Sequence, residues 1–508
     1  MSIARKIAAQ SGWMLAGNLY TLFVGFAFQI YLARQIGAEG LGFFGLLQAG
    51  VGALSGLVGL GVAQVMVRFI PEHVRKKEYA ELHTLVRGGF SLLTGVGLLG
   101  MMAICLVLPL VIRRWPDLAG HKMEMLAASF MLPLGLLLYT SGQVLRGFYD
   151  VRYFVIGSSI LQLSAKVLFS VVVFTFGFYL VGYLWAVNLS MAVALAWMLL
   201  GIRRHLHRYP SKPRVGERLL PAWRSYAKVM YGNNLLTFWA EPLEKFIIGL
   251  SASAAAVGVL VVANALYMLP AIFLQMFLMI VGPMLAAAAS DKNFQEVGKI
   301  YHLSTDWLVR LSLPLIVFLT VYAAPVLKLY GEEFVNEGVW LLHALLFGQL
   351  LNVMAGPVGN VLNMCGLERK MFVINIGSVL LRGALLLALV PVFGLKGIGL
   401  VVIAVLLCSN LAGLVVARSA LDLRWWDRKY RAWLLPLVLT YAVALALITY
   451  VPFNNLNLAL PLPLLYVTFH FSYFRIHGVN PEDRDVLGAI RGKLHHRLQP
   501  LIPEKYYR

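Results

Sequence analysis

The sequence predicts an all-α polytopic membrane protein of about fourteen transmembrane helices: two pseudo-symmetric six-helix lobes followed by two extra C-terminal helices. Three observations carry that prediction. Of 508 residues, 60% are hydrophobic and only 13% charged, with a mean hydropathy of +0.77, unlike a soluble domain. The apolar residues gather into about fourteen stretches of about 18–25 residues, each enough to cross about 30 Å of hydrocarbon. Positive charge falls in alternate connections between those stretches.

In chain order, the first span opens near Trp13 and the second near Phe43, after the Ala38–Gly42 connection. The third and fourth begin near Gly88 and Met123, the fifth near Val155 and the sixth near Tyr183. The seventh begins near Val229 and contains Pro242, which predicts a kink. The eighth to twelfth start near Val257, Leu311, Val339, Phe372 and Gly397, and the last two near Ala432 and Asn457. After Arg475, Asn480-Pro481-Glu482-Asp483 is a helix start. Val486, Leu487, Ile490, Leu494 and Leu498 then share one face, which predicts an interfacial amphipathic helix.

The domain organisation follows from these spans: a lobe over 1–204, a basic linker over 205–228 and a second lobe over 229–420. Spans 13 and 14 occupy 421–474, and a basic tail 475–508. The lobes read as repeats. Ala38, Gly42 and Gln48 align with Ala254, Gly258 and Asn264, and Phe154-Val155-Ile156 aligns with Phe372-Val373-Ile374, at an offset of about 216–218. Both repeats start on the same side, so a pseudo-twofold axis along the membrane normal is expected.

The N-terminal arm, the even-numbered connections and the tail hold about 34 of the 43 Lys and Arg residues. This imbalance puts both termini in the cytoplasm, with basic loops against anionic lipid, and explains the net charge of +20 without nucleic acid. The start of the chain reads as an uncleaved first helix rather than a signal peptide. Cys105, Cys365 and Cys408 form no CxxC pair or disulfide framework. His205/His207 and His495/His496 lie in basic segments and read as solvated surface rather than metal ligands. Walker A, HExxH and GxSxG patterns are missing, so neither an enzyme nor an ATP-driven pump is expected, and no cofactor.

Candidate site residues are the ionisable and polar groups inside spans, because such groups are costly in hydrocarbon and face a cavity or a partner. Lys166 lies near the middle of span 5 and Arg382 near the middle of span 11, within about a residue or two of repeat-equivalent positions. Ser158, Gln162, Lys166 and Ser170 share one face of span 5, and Asn375, Ser378 and Arg382 one face of span 11. A cationic pair suits phosphate oxygens; the alternative is that each cation neutralises an acid for packing alone. Span 7 carries Asn234, Thr237, Glu241, Glu244 and Lys245 on one stripe. Glu241 or Glu244 is a candidate for ion coupling, against a structural Glu241–Lys245 pair at i,i+4. Weaker polar stripes are Asn18, Thr21 and Gln29 on span 1, and Gln349, Asn352 and Asn360 on span 10.

Short motifs then carry a family resemblance. Tyr31-Leu32-Ala33-Arg34-Gln35-Ile36-Gly37-Ala38-Glu39-Gly40-Leu41-Gly42 is followed by Gly59-Leu60-Gly61 and Arg68-Phe69-Ile70-Pro71-Glu72. Further on come Leu145-Arg146-Gly147, Glu244-Lys245 with Ile248-Gly249, and Tyr330-Gly331-Glu332-Glu333-Phe334. In this order and spacing the chain resembles the O-antigen and exopolysaccharide flippases of the multidrug/oligosaccharidyl-lipid/polysaccharide superfamily. The resemblance covers roughly residues 1–420. Glu244-Lys245 stands where that family often has Asp-Arg. The resemblance implies two six-helix bundles that move a polyprenyl-diphosphate-linked glycan between leaflets of the cytoplasmic membrane. It also implies partners among the polysaccharide polymerase and chain-length machinery. A multidrug or ion-coupled small-molecule exporter of the same superfamily is the alternative, although a drug exporter favours acidic rather than cationic lumen charge.

Overall fold

The computed structural model describes residues 3–114, 116–210, 221–238, 240–423, 428–451, 458 and 460–478. The tail helix expected from Asn480 lies outside these. Every regular element among the described residues is a helix, and eleven are long and apolar enough to cross a membrane.

The helices run as α1 (Ile3–Val58), α2 (Val62–Lys76), α3 (Tyr79–Arg114), α4 (Lys122–Ser129), α5 (Met131–Gly147), α6 (Val151–Val155), α7 (Gln162–Thr175) and α8 (Leu180–His207). Then come α9 (Pro221–Phe238), α10 (Ala240–Ser251), α11 (Ala254–Ser290), α12 (Phe294–Val321), α13 (Ala323–Lys328), α14 (Val335–Met354) and α15 (Val358–Met364). The last four are α16 (Glu368–Phe393), α17 (Leu395–Leu421), α18 (Leu434–Tyr450) and α19 (Pro461–His477). The first two predicted spans share α1, which breaks at Gly37 (φ 69°), a left-handed conformation open to glycine at little cost. The seventh predicted span is divided between α9 and α10, and the fourteenth lies on α19.

By backbone contact the chain forms two compact units that do not follow chain order. The first joins Met1–Asn264 with Leu327–Leu341 and Val379–Val401; the second holds Ala265–Val326, Leu342–Ser378 and Val402–Arg508.

In the first unit, α2 buries Val62, Val65, Met66, Phe69, Ile70 and His73, the i, i+3, i+4, i+7 pattern of an amphipathic helix. That face meets Leu82, Leu85, Leu145, Met198 and Trp223 in one core cluster. At the Gly37 break, the Ala38 amide donates to Glu333 Oε1 at 2.6 Å, and Arg34 Nε donates to the Leu329 carbonyl at 2.6 Å. The carboxylate therefore supplies the acceptor for an amide that the break leaves without an intrahelical partner. Immediately after it, the two repeat-related motifs meet each other. A Cβ on Gly42 would lie 1.7 Å from the Ala254 carbonyl oxygen, and one on Gly258 would lie 2.0 Å from that of Ala38. Backbones can approach this closely only where both helices carry hydrogen in place of a side chain.

In the second unit, α12 is the most enclosed element, and Arg310 on it is 2% exposed. Arg310, just before the apolar stretch that opens near Leu311, lies inside the helix. Its guanidinium meets Asp306 at 2.8 Å and stacks over the rings of Trp307 and Tyr473, with centroids 4.6 and 4.7 Å away. Asp306 also accepts from Trp433 Nε1 at 2.8 Å and from the Tyr473 hydroxyl at 3.2 Å. One carboxylate thus ties α12 to the segment before α18 and to α19. The acid-first i,i+4 spacing was readable in the sequence; the aromatic partners more than a hundred residues away were not.

Two outcomes follow. Gly42→Leu and Gly258→Leu each force backbone apart and are expected to cost about 3 kcal/mol or more, measured as lost folded protein and lower Tm in detergent. Asp306→Leu and Arg310→Met are each expected to cost about 3–5 kcal/mol, because each leaves a buried charge alone. The double variant is expected to recover most of that loss, which a double-mutant thermal-stability cycle reads directly.

Candidate functional site

Lys166 owes its position to an irregularity in its helix. Between α6 and α7 the residues Ile156–Leu161 form a π-turn, which widens the helix and turns the following side chains relative to those before it. Asp150 starts this run by accepting from the Tyr153 amide at 3.2 Å, and His205 Nε2 donates to its other oxygen at 2.8 Å. α1 packs tightly on the π-turn: a Cβ on Gly17 would meet Val155 Cγ1 at 2.5 Å and Ser159 Oγ at 3.2 Å. One turn later, Ser164 Oγ gives its proton to the Ile160 carbonyl and accepts one from the Tyr20 hydroxyl at 2.7 Å. The turn is therefore held on both sides.

Beyond it, the Lys166 ammonium stands 5.4 Å from the centroid of the Phe28 ring, itself grouped with Tyr31 and Tyr183. Among the described residues it has no carboxylate partner. A cation–π contact is worth about 0.5–2 kcal/mol. A charge in the middle of a membrane helix costs about 2.5–3.5 kcal/mol even on the mildest scale. Phe28 alone does not offset the cost of a charge at that position.

Arg382 has a partner. Its Nη2 pairs with Glu244 Oε2, joining α16 to α10 within the first unit, while its Nε has no acceptor among the described residues. Glu244 is 3% exposed and Arg382 is half-buried, so the acid is the sequestered member and the guanidinium the accessible one. The acid of span 7 that meets Arg382 is thus Glu244. The side chains of Glu241, Asn234 and Thr237 lie outside the described ones, and Lys245 is half-buried beside Glu244.

The polar stripes take separate places. Gln162 opens α7 half-buried, whereas Ser170 is fully buried and donates to the Lys166 carbonyl at 2.6 Å. Ser378 likewise donates to the Ile374 carbonyl, Asn375 and Asn18 are exposed, and Gln29 is half-buried. In the second unit, Asn410 Nδ2 donates to Asn352 Oδ1 at 3.2 Å, and Asn352 Nδ2 to Gln349 Oε1 at 3.4 Å. Gln349 is fully buried, so this chain of amides reads as helix-to-helix glue. Asn410 was not singled out in the sequence; a lone Asn on an apolar helix gives no periodic signal.

Apolar helices around buried, partly compensated cations define an all-α polytopic membrane protein. The Polysaccharide biosynthesis protein family matches residues 7–289, more than half of the chain, and the chain belongs to it. The MatE family matches residues 230–387. No curated protein sequence matches. Among solved structures, the lipid II flippase MurJ in an inward closed conformation has a TM-score of 0.65 at 13% identity, covering 92% of this chain and 99% of that one. An inward-facing multidrug resistance MATE family transporter of the MOP superfamily has a TM-score of 0.64 at 16% identity, covering 79% and 94%. A MOP superfamily transporter from Pyrococcus furiosus, described by a reversed polarity of its binding pocket, has a TM-score of 0.57 at 16% identity, covering 82% and 95%. At these identities the likeness is one of fold.

Arg382→Leu is expected to destabilise by about 3–5 kcal/mol, since it strands the Glu244 carboxylate. Adding Glu244→Gln is expected to restore most of the loss, measured as Tm of the purified single and double variants. Additive losses in the double variant would remove the pair.

Proposed function

We propose that this protein is a flippase that moves polyprenyl-diphosphate-linked oligosaccharide units across the cytoplasmic membrane for polysaccharide biosynthesis, by alternating access. Family membership supports the pathway. The observation that carries the reading is Lys166, a membrane-depth cation with only an aromatic face for company. Arg382 supports it from the other repeat position: phosphate oxygens compete with the Glu244 carboxylate for a guanidinium that binds either in the same geometry. In this reading Lys166 and Arg382 hold the diphosphate, and the polyprenyl chain stays in lipid. Gln162, one helical turn before Lys166, offers neutral hydrogen bonds on the same helix. Glu244, whose carboxylate this exchange releases from Arg382, is the candidate for ion coupling.

The excess of Lys and Arg in alternate connections supports cytoplasmic termini. Those connections attract an anionic lipid headgroup on that side before it enters. Transport rather than catalysis is the activity inferred. Exchange with a polymerase on the outer face is the partnership this reading implies. The second reading, a small-molecule exporter, is favoured by the MatE match over residues 230–387.

Reconstituted in proteoliposomes with a defined polyprenyl-diphosphate oligosaccharide, the wild-type protein is expected to transfer it between leaflets. Lys166→Ala is expected to reduce that rate at least about tenfold at unchanged expression and Tm, as is the paired Arg382→Gln/Glu244→Gln variant. Wild-type turnover by both would remove the proposed diphosphate site, and drug efflux without lipid transfer would transfer the assignment to the exporter reading.

A further inference from the structure

A cavity of about 290 Å³ opens in the first unit between α1, α2, α3, α5 and α8, and no charged side chain lines it. Nothing in the diphosphate site uses it. We propose that it binds one uncharged sugar ring of the cargo's glycan, an inference that rests on the flippase reading above.

Two glycines keep the cavity open. A Cβ on Gly52 or on Gly135 would meet nothing within 4 Å, the opposite of Gly42, where the helices close on each other. Glycine inside a helix costs about 1 kcal/mol relative to alanine, so here it is tolerated without any packing gain. A stripe of small residues alone would mean little, but Thr140 adds an independent sign. It lines the cavity, is 1% exposed, and among the described residues its hydroxyl has no hydrogen-bond partner. Its neighbour Ser141 and other helical hydroxyls such as Thr94 instead donate to the carbonyl four residues back. A buried hydroxyl without a partner is costly unless a ligand or water supplies one.

The rest of the lining selects the ligand class. Gln48 and Gln64 each bring an amide donor and an amide acceptor, and Tyr139, half exposed, offers a phenol and a flat ring. Donors and acceptors interleaved with methionine and leucine side chains suit a pyranose, which alternates hydroxyls with C–H faces. A phosphate would find no cation here, and an isoprenoid chain would leave the amides and hydroxyls unmatched. The volume sits at the lower end of ligand pockets and fits a single ring rather than a whole repeat unit.

The test uses full-length protein in detergent and two probes: a polyprenyl-diphosphate oligosaccharide and the same polyprenyl diphosphate without sugar. Gly52→Leu and Gly135→Leu fill open space on helices and are expected to keep or raise Tm. Each is expected to weaken binding of the glycolipid about tenfold and to leave binding of the sugar-free lipid unchanged. Gln64→Ala and Tyr139→Ala, which remove atoms instead, are expected to give the same split. Equal loss on both lipids would assign the cavity to the isoprenoid chain, and no loss on either would reduce it to a packing defect; both overturn the proposal. Lys166→Ala is expected to weaken both lipids alike. A wild-type protein that binds neither lipid would sink the flippase reading and this assignment with it.

Discussion

Hydrocarbon offers no hydrogen bonds, and that one deficit governs the arrangement of this chain. Each backbone amide must be satisfied inside its own helix, and each side chain that carries charge must find a partner or a cavity. The interruptions are therefore the informative places. At Gly37 the helix breaks, and a carboxylate from Glu333 accepts from the next amide. At Ile156–Leu161 it widens, and Gly17 and Tyr20 of α1 hold the widened turn in place. Neither feature disturbs the core; each sets the direction in which later side chains point.

The buried charges divide into two kinds. Asp306–Arg310 is enclosed: its carboxylate accepts from Trp433 and Tyr473, its guanidinium lies over the rings of Trp307 and Tyr473, and it ties three parts of one unit together. Lys166 and Arg382 are open. One has an aromatic face, and the other pairs with a single carboxylate. A closed network rigidifies, whereas an open one has capacity for a ligand.

Much of the fold was legible in residues. The about fourteen apolar stretches all fall on helices where described, because hydropathy and backbone satisfaction select the same segments. The Gly37 connection was legible as a break, and the repeat motif around Gly42 and Gly258 was legible as a match. That the two copies touch each other was not, since a sequence offset says nothing of distance. Of the proposed site, the two cations stand out in the sequence by their cost in lipid. The acid that meets Arg382 was not legible: Glu244 lies 138 positions away, and no spacing rule links the two. Arg310 gives no such signal, because it stands at the edge of an apolar stretch.

The sequence by itself determined that this chain lives in a membrane, which segments are helical, and which residues are too polar to face lipid, because those follow from local composition. Tertiary structure alone decided which charges are spent on one another, where glycines close a contact and where they leave a cavity. These depend on side chains that meet across hundreds of residues, and helical periodicity carries no record of such meetings.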